Sequence, residues 1–248
     1  MVLTYAIISV LIVSLISLVG LLTISIKLEK LKNLLIYMVS FSAGALFGDV
    51  FFHLLPEIVE HNGFTLKIAL SLLLGILLSF LLEKVINWRH CHIHPKSKDH
   101  IHPFAIMNLF GDAVHNFIDG LIIGAGYLVS FPVGFATTLA VIFHEIPQEI
   151  GDFGVLLHGG FKKRKALLFN FLTAITSIIG AIVAFLLNNY VENLTLYLIP
   201  FAAGSFIYIA GSDLIPELHK EVKVKNSILQ FIFIILGLLV MIGLLYLD

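Results

Sequence analysis

The sequence predicts an all-α polytopic membrane protein with eight transmembrane helices. Three observations carry this prediction. The 248 residues are 59% apolar and only 12% charged, with a mean hydropathy of +1.03. That is about half the charged fraction of an ordinary soluble domain. The apolar residues fall into eight runs, and the basic residues collect on one side of them. A surface so poor in charge cannot face water, which makes the lipid bilayer the expected surroundings.

In chain order the runs lie at 2–26, 34–57, 66–86, 104–128, 131–158, 166–189, 195–218 and 228–246, here spans 1 to 8. Each approaches or exceeds the ~20 residues that a helix needs to cross the hydrocarbon core. Span 1 lacks a basic leading region and a small-residue cleavage site, so it reads as a retained helix and not as a removed signal peptide. The loops after spans 1, 3, 5 and 7 hold fourteen of the fifteen Lys and Arg residues, leaving Lys67 alone on the other side. The positive-inside rule puts those loops in the cytoplasm and both termini outside it. A chain of this length without an ectodomain is expected in the cell (plasma) membrane, as a single domain over 1–248.

The lone Cys91 excludes a disulfide framework and a four-cysteine zinc cage. A net charge of −1 gives no electrostatic case for nucleic acid as a partner.

Spans 2 and 7 share a pattern. Ala43-Gly44 leads to Leu55-Pro56-Glu57, and Ala203-Gly204 leads to Ile215-Pro216-Glu217. Asp49 and His53 lie inside the first copy, and Asp213 takes the position of His53 in the second. Span 7 comes five spans after span 2, so the copies cross the membrane in opposite directions. Inverted repeats of spans 1–3 and 6–8 around spans 4 and 5 are therefore expected, a plan whose binding site lies near the midplane.

Span 4 carries Asp112, His115, Asn116 and Asp119; span 5 carries His144, Glu145, Gln148, Glu149 and Asp152. His115 and Asp119, His144 and Gln148, and Glu145 and Glu149 are each four apart and so share helix faces. The energetics are adverse for span 5 alone. Its three acids cost about 9 kcal/mol on the insertion scale, against about 7 recovered from its apolar residues. Something must meet that polar face. Neutral imidazoles and ionised carboxylates are ligands that divalent transition metals prefer, so a metal ion is the expected partner. Hydrogen bonds between helices are the bland alternative.

Asp49 and His53 in the outer half of span 2, with Asp112 and Asp152 below the centre, are expected to line a path for the ion. Glu57 and Glu217 read as ordinary charges at helix ends, and Asn170 as an interhelical hydrogen bond. The loop at 88–103 reads as a flexible cytoplasmic metal acceptor through His90, His92, His94, His100 and His102.

HNFIDG in span 4, followed by HEIPQEIGDF in span 5, closely resembles the paired signature of the ZIP (Zrt/Irt-like) metal transporters. The branch it resembles has a box reading HEIPHE-GD. The likeness extends to GDVFFHLLPE in span 2 and SDLIPEL in span 7. This resemblance implies transport of a divalent metal into the cytoplasm, zinc first, with iron, manganese or cadmium as other ions and no further cofactor. It implies a two-metal site between spans 4 and 5. His115, Asp119, His144 and position 148 match the first metal; Asn116, Asp119, Glu145 and 148 match the second. It also implies alternating access, with spans 1, 4, 5 and 6 sliding against the rest, often in a homodimer. The departure is Gln148, where the branch has His; an amide oxygen is a harder ligand than imidazole.

Two other functions fit the sequence less well. An intramembrane zinc metalloprotease needs HExxH, but Gln148 stands where the second His belongs and Pro147 precedes it. A proton- or sodium-coupled carrier of an organic substrate would have little use for two facing His residues. The chain is therefore not expected to be an enzyme.

Overall fold

A computed structural model describes residues 1–20, 28–88, 103–191 and 193–246. Helical rods account for nearly all of them, and no strand occurs among the described residues. Helix α1 covers Val2–Ile16 and runs into a 3-10 turn at Ser17–Val19. Helix α2 is built of Leu28–Gly48, a π-helical segment Asp49–Leu54, and Leu55–Asn62. Helices α3, α4 and α5 cover Leu66–Trp88, Pro103–Val129 and Phe131–His158. Helix α6 comprises Lys163–Ala174 and Thr176–Asn188. Helix α7 joins Thr195–Tyr208, a π segment Ile209–Leu214, and Ile215–Leu218; α8 is Val224–Leu244.

Each expected run falls on one of these rods. The chain is an all-α, multi-pass membrane protein. By length and composition, α1, α2, α3, α6, α7 and α8 are apolar enough to cross a membrane. Helices α4 and α5 are also long enough, at 27 and 28 residues, but carry the polar rows. Those rows lower their hydropathy, for the reason that made span 5 costly alone. The expected end of span 1 and the whole histidine tract of the 88–103 loop lie outside the described residues.

The shared pattern in α2 and α7 has a backbone counterpart. The two π segments begin 160 residues apart, at Asp49 and Ile209, and each runs directly into a proline-bearing turn. The N–H of Leu55 reaches back to Val50 and that of Ile215 to Ala210, the wider turn of a π-helix. Pro56 and Pro216 lack an N–H, and a bulge just before each reroutes the bonding they interrupt.

Packing repeats the correspondence. A Cβ on Gly44 would lie 2.1 Å from the Ile234 carbonyl oxygen of α8, and one on Gly204 lies 2.0 Å from that of Leu72 in α3. Conversely, Gly237 of α8 meets Phe41 and Gly75 of α3 meets Phe201. So α2 packs on α8 and α7 on α3 by reciprocal backbone contact, as small residues permit in membrane interfaces. Helix α4 is locked to α6 the same way, through Gly120 on Ser177 and Gly180 on Phe117.

Helices α4 and α5 are joined by a single residue. Ser130 is extended, and its hydroxyl accepts the N–H of Val133, capping α5. His115 is fourteen residues before Val129 and His144 thirteen after Phe131. At 1.5 Å per residue, both lie about 20 Å from the shared turn. The tight turn puts them at one depth.

Candidate metal centre

His115, Asp119, His144 and Glu145 bring one ligand atom each to a common point, all within 4.8 Å of one another. His144 Nε2 is 3.0 Å from Asp119 Oδ2 and 3.7 Å from Glu145 Oε1. His115 Nε2 is 3.3 Å from Glu145 Oε1, 3.7 Å from Asp119 Oδ2 and 3.3 Å from His144 Nε2. Zinc bonds to N and O are about 2.0–2.1 Å long, so the edges of a zinc tetrahedron are about 3.3–3.4 Å. Those five separations scatter around that edge.

The surroundings orient the ligands. The Nδ1 of His144 donates to the Ala140 carbonyl at 3.1 Å, which leaves the Nε2 lone pair directed at the cluster. The His144 ring packs edge-on against Phe206 of α7, with centroids 5.8 Å apart. His144, Asp119 and Glu145 are each 1% exposed, and His115 is half-buried, 22% exposed. Beyond the imidazoles, the carboxylates of Asp119 and Glu145 have no hydrogen-bond partner among the described residues. Two buried carboxylates with no donor beyond these two rings require a cation or protons.

The other expected residues take varied places. Asn116 is fully buried and gives its amide N–H groups to the Asp112 carbonyl and carboxylate, leaving Oδ1 unpartnered. Asp112 in turn accepts from Thr173 of α6. Glu149 turns toward α6, where the Asn170 amide donates to it and to its own backbone carbonyl. Asp152 accepts from Asn108 at 3.0 Å. Asp49 is wholly buried in the π segment of α2. The Nε2 of His53 donates to the Met241 carbonyl of α8 at 2.9 Å, so that ring ties two helices together.

A cavity of about 290 Å³ leads to His115. Asn108, Asp112, Gln148 and Asp152 line it from α4 and α5, and Ser79, Glu83, Ser205 and Tyr208 from α3 and α7. Ser79 bonds to Ser205 and Tyr208 to Glu83, so the second wall is braced. No motif in the sequence marks those four. They are isolated polar side chains on apolar helices, and only the cavity gives them meaning. Ala136, Ala140, Val141, Ile122 and Phe206 are all buried in the apolar core, and Ala140 and Phe206 both contact His144.

A model described as the ZIP zinc transporter matches residues 1–104 and 89–245, nearly the whole chain. The chain belongs to the ZIP zinc transporter family. Zinc transporter ZIP13 of Danio rerio is 31% identical, over 86% of this chain and 75% of its own. Zinc transporter zipt-7.1 of Caenorhabditis briggsae is 30% identical, over 81% and 68%. Zinc transporter ZIP10 of Mus musculus is 37% identical over a shorter stretch, 55% and 18%. Membership makes this chain a divalent-metal transporter and not an enzyme, and HEIPQE is no protease box. In ZIP terms, the paired signature of α4 and α5 and the converging donor atoms occupy the same residues.

Proposed function

We propose that this ZIP protein carries a divalent transition metal, zinc first, into the cytoplasm by alternating access through the cluster of His115, Asp119, His144 and Glu145. The supporting observation is the near-tetrahedral spacing of two imidazole nitrogens and two carboxylate oxygens, buried at matched depth on paired helices. Gln148, on the cavity wall one turn from His144, completes the first coordination shell. Asn116, with its free carbonyl oxygen, extends the site to a second ion. Glu149 and Asp112 tie the site to α6 through Asn170 and Thr173. Iron, manganese and cadmium are the competing cargoes, since an amide at 148 softens the preference for zinc.

Eight crossings follow if α4 and α5 span the bilayer beside the six apolar rods. Both termini then lie outside the cytoplasm of a plasma-membrane protein. On that orientation the cavity opens to the cytoplasm, and Asp112 and Asp152 line the way out. Asp49 stands on the far side, on the inward route. Helices α1, α4, α5 and α6 move against α2, α3, α7 and α8, in a homodimer. The histidine tract at 88–103 takes up released metal.

The test is uptake by protein reconstituted in liposomes, with zinc, iron, manganese and cadmium in competition and Asp119→Ala as control. Zinc uptake lost in Asp119→Ala supports the site. Full uptake by that variant overturns it.

A further inference from the structure

Pro147 lies inside α5 and has no N–H, so the carbonyl of Phe143, one turn earlier, lacks the donor its own helix would supply. Phe143 immediately precedes the ligands His144 and Glu145. A carbonyl left bare at that depth carries the full penalty of a lost hydrogen bond. The missing donor comes from another helix. Ser42 of α2, wholly buried, places its hydroxyl 2.5 Å from the Phe143 oxygen. The rings of Phe41 and Phe143 pack edge to face at 4.8 Å and 87°, joining the same two turns. Seven residues along α2, on the same face, Asp49 stands beside Thr137 of α5. The two antiparallel helices thus meet along a polar seam.

The Ser42 hydroxyl has one proton and two acceptors. Besides Phe143, the Met38 carbonyl of its own helix is 2.8 Å away. If α5 moves along α2, the serine falls back on Met38 and loses little. The Phe143 carbonyl loses its partner. The contact therefore favours one relative position of the helices, and it does so through the ligand-bearing turn.

We propose that Ser42 is a positioning residue for the metal site. Its hydroxyl caps the carbonyl freed by Pro147, fixes the turn that carries His144 and Glu145 against α2, and stabilises the cavity-open arrangement. This rests on alternating access for the existence of a second arrangement, but not on which atoms hold the metal.

The test is thiol labelling without metal, on detergent-solubilised protein carrying Cys91→Ser and Leu82→Cys, the latter on the cavity wall. Ser42→Ala is expected to slow maleimide labelling about five-fold, the factor carried by one neutral hydrogen bond. Ser42→Thr, which keeps the hydroxyl, labels like the parent. In a Pro147→Ala background the restored N–H serves Phe143, so adding Ser42→Ala changes the rate less than about two-fold. An equal effect of Ser42→Ala in both backgrounds, no effect in either, or a threonine variant that behaves like alanine overturns the proposal. If Ser42→Ala alone yields no folded protein, recovery in the Pro147→Ala background is the readout. Restored recovery supports the cap and continued failure overturns it. A metal site placed wrongly leaves these rates unchanged and shows only in uptake.

Discussion

The bond from His144 Nδ1 to the Ala140 carbonyl fixes which ring nitrogen can bind an ion. Nδ1 must carry the proton, so Nε2 is the ligand in the neutral ring, and a second proton on the ring competes directly with metal. At His115 too it is Nε2 that faces the cluster, 3.3 Å from Glu145. Zinc affinity is therefore expected to fall as pH is lowered, because each proton taken up by a ligand nitrogen displaces metal. Isothermal titration between pH 7.5 and 5.5 reads this, and a flat profile would remove the imidazoles from the site. Position 148 tests the ion preference separately. Gln148→His replaces an amide with imidazole on the cavity wall and is expected to raise the zinc-to-manganese uptake ratio several-fold, as imidazole suits zinc better. An unchanged ratio would mean that 148 does not select the ion, while leaving the cluster intact.

The helices divide into those that touch through backbone and those that touch through side chains. A Cβ on Gly120 would lie 1.8 Å from the Ser177 carbonyl oxygen, so Gly120→Ala must push α4 away from α6. Overpacking of that kind costs about 1–3 kcal/mol. Gly154, on the exposed side of α5, has nothing within 4 Å of its Cβ position. There Gly→Ala is expected to be neutral or stabilising by about 0.5–1 kcal/mol. Thermal unfolding followed by size exclusion separates the two, and equal midpoints would contradict the packing. Rods and cluster residues were legible in the sequence because both repeat. Apolar runs of membrane length mark the helices, and the i, i+4 spacing of His115 with Asp119 marks a shared face. The π segments were not legible, since six residues of wider turn leave no separate period; only Pro56 and Pro216 hint at them. Nor was Ser42, a lone serine whose partner is 101 residues away. The bond from His53 to the Met241 carbonyl was not legible either, because sequence gives a side chain's depth and not its direction.

At the scale of the molecule, orientation rests on charge alone. Fourteen basic residues fall in the four loops after spans 1, 3, 5 and 7, and the positive-inside rule keeps such loops in the cytoplasm. Lys163, exposed at the start of α6, and Tyr190, 85% exposed beyond its end, lie at opposite ends of that helix. In a Cys91→Ser background, Lys163→Cys should react with impermeant maleimide only in inside-out vesicles, and Tyr190→Cys only in intact cells. The opposite pattern would invert the protein and turn the cavity into an outer mouth, so that transport ran outward. The histidine tract follows from the same orientation. In the sequence it falls between spans 3 and 4, which on the proposed orientation is the side where ions leave, whereas the four converging ligands are buried among helices. A ligand set beyond the midplane can alter how fast ions depart, but it cannot replace the step that carries them across. Changing His90, His92, His94, His100 and His102 to Ser is therefore expected to preserve at least about half of the zinc uptake, with a lower rate at low cytoplasmic zinc-buffering capacity. Complete loss of uptake in folded, correctly inserted protein would place the tract on the path itself.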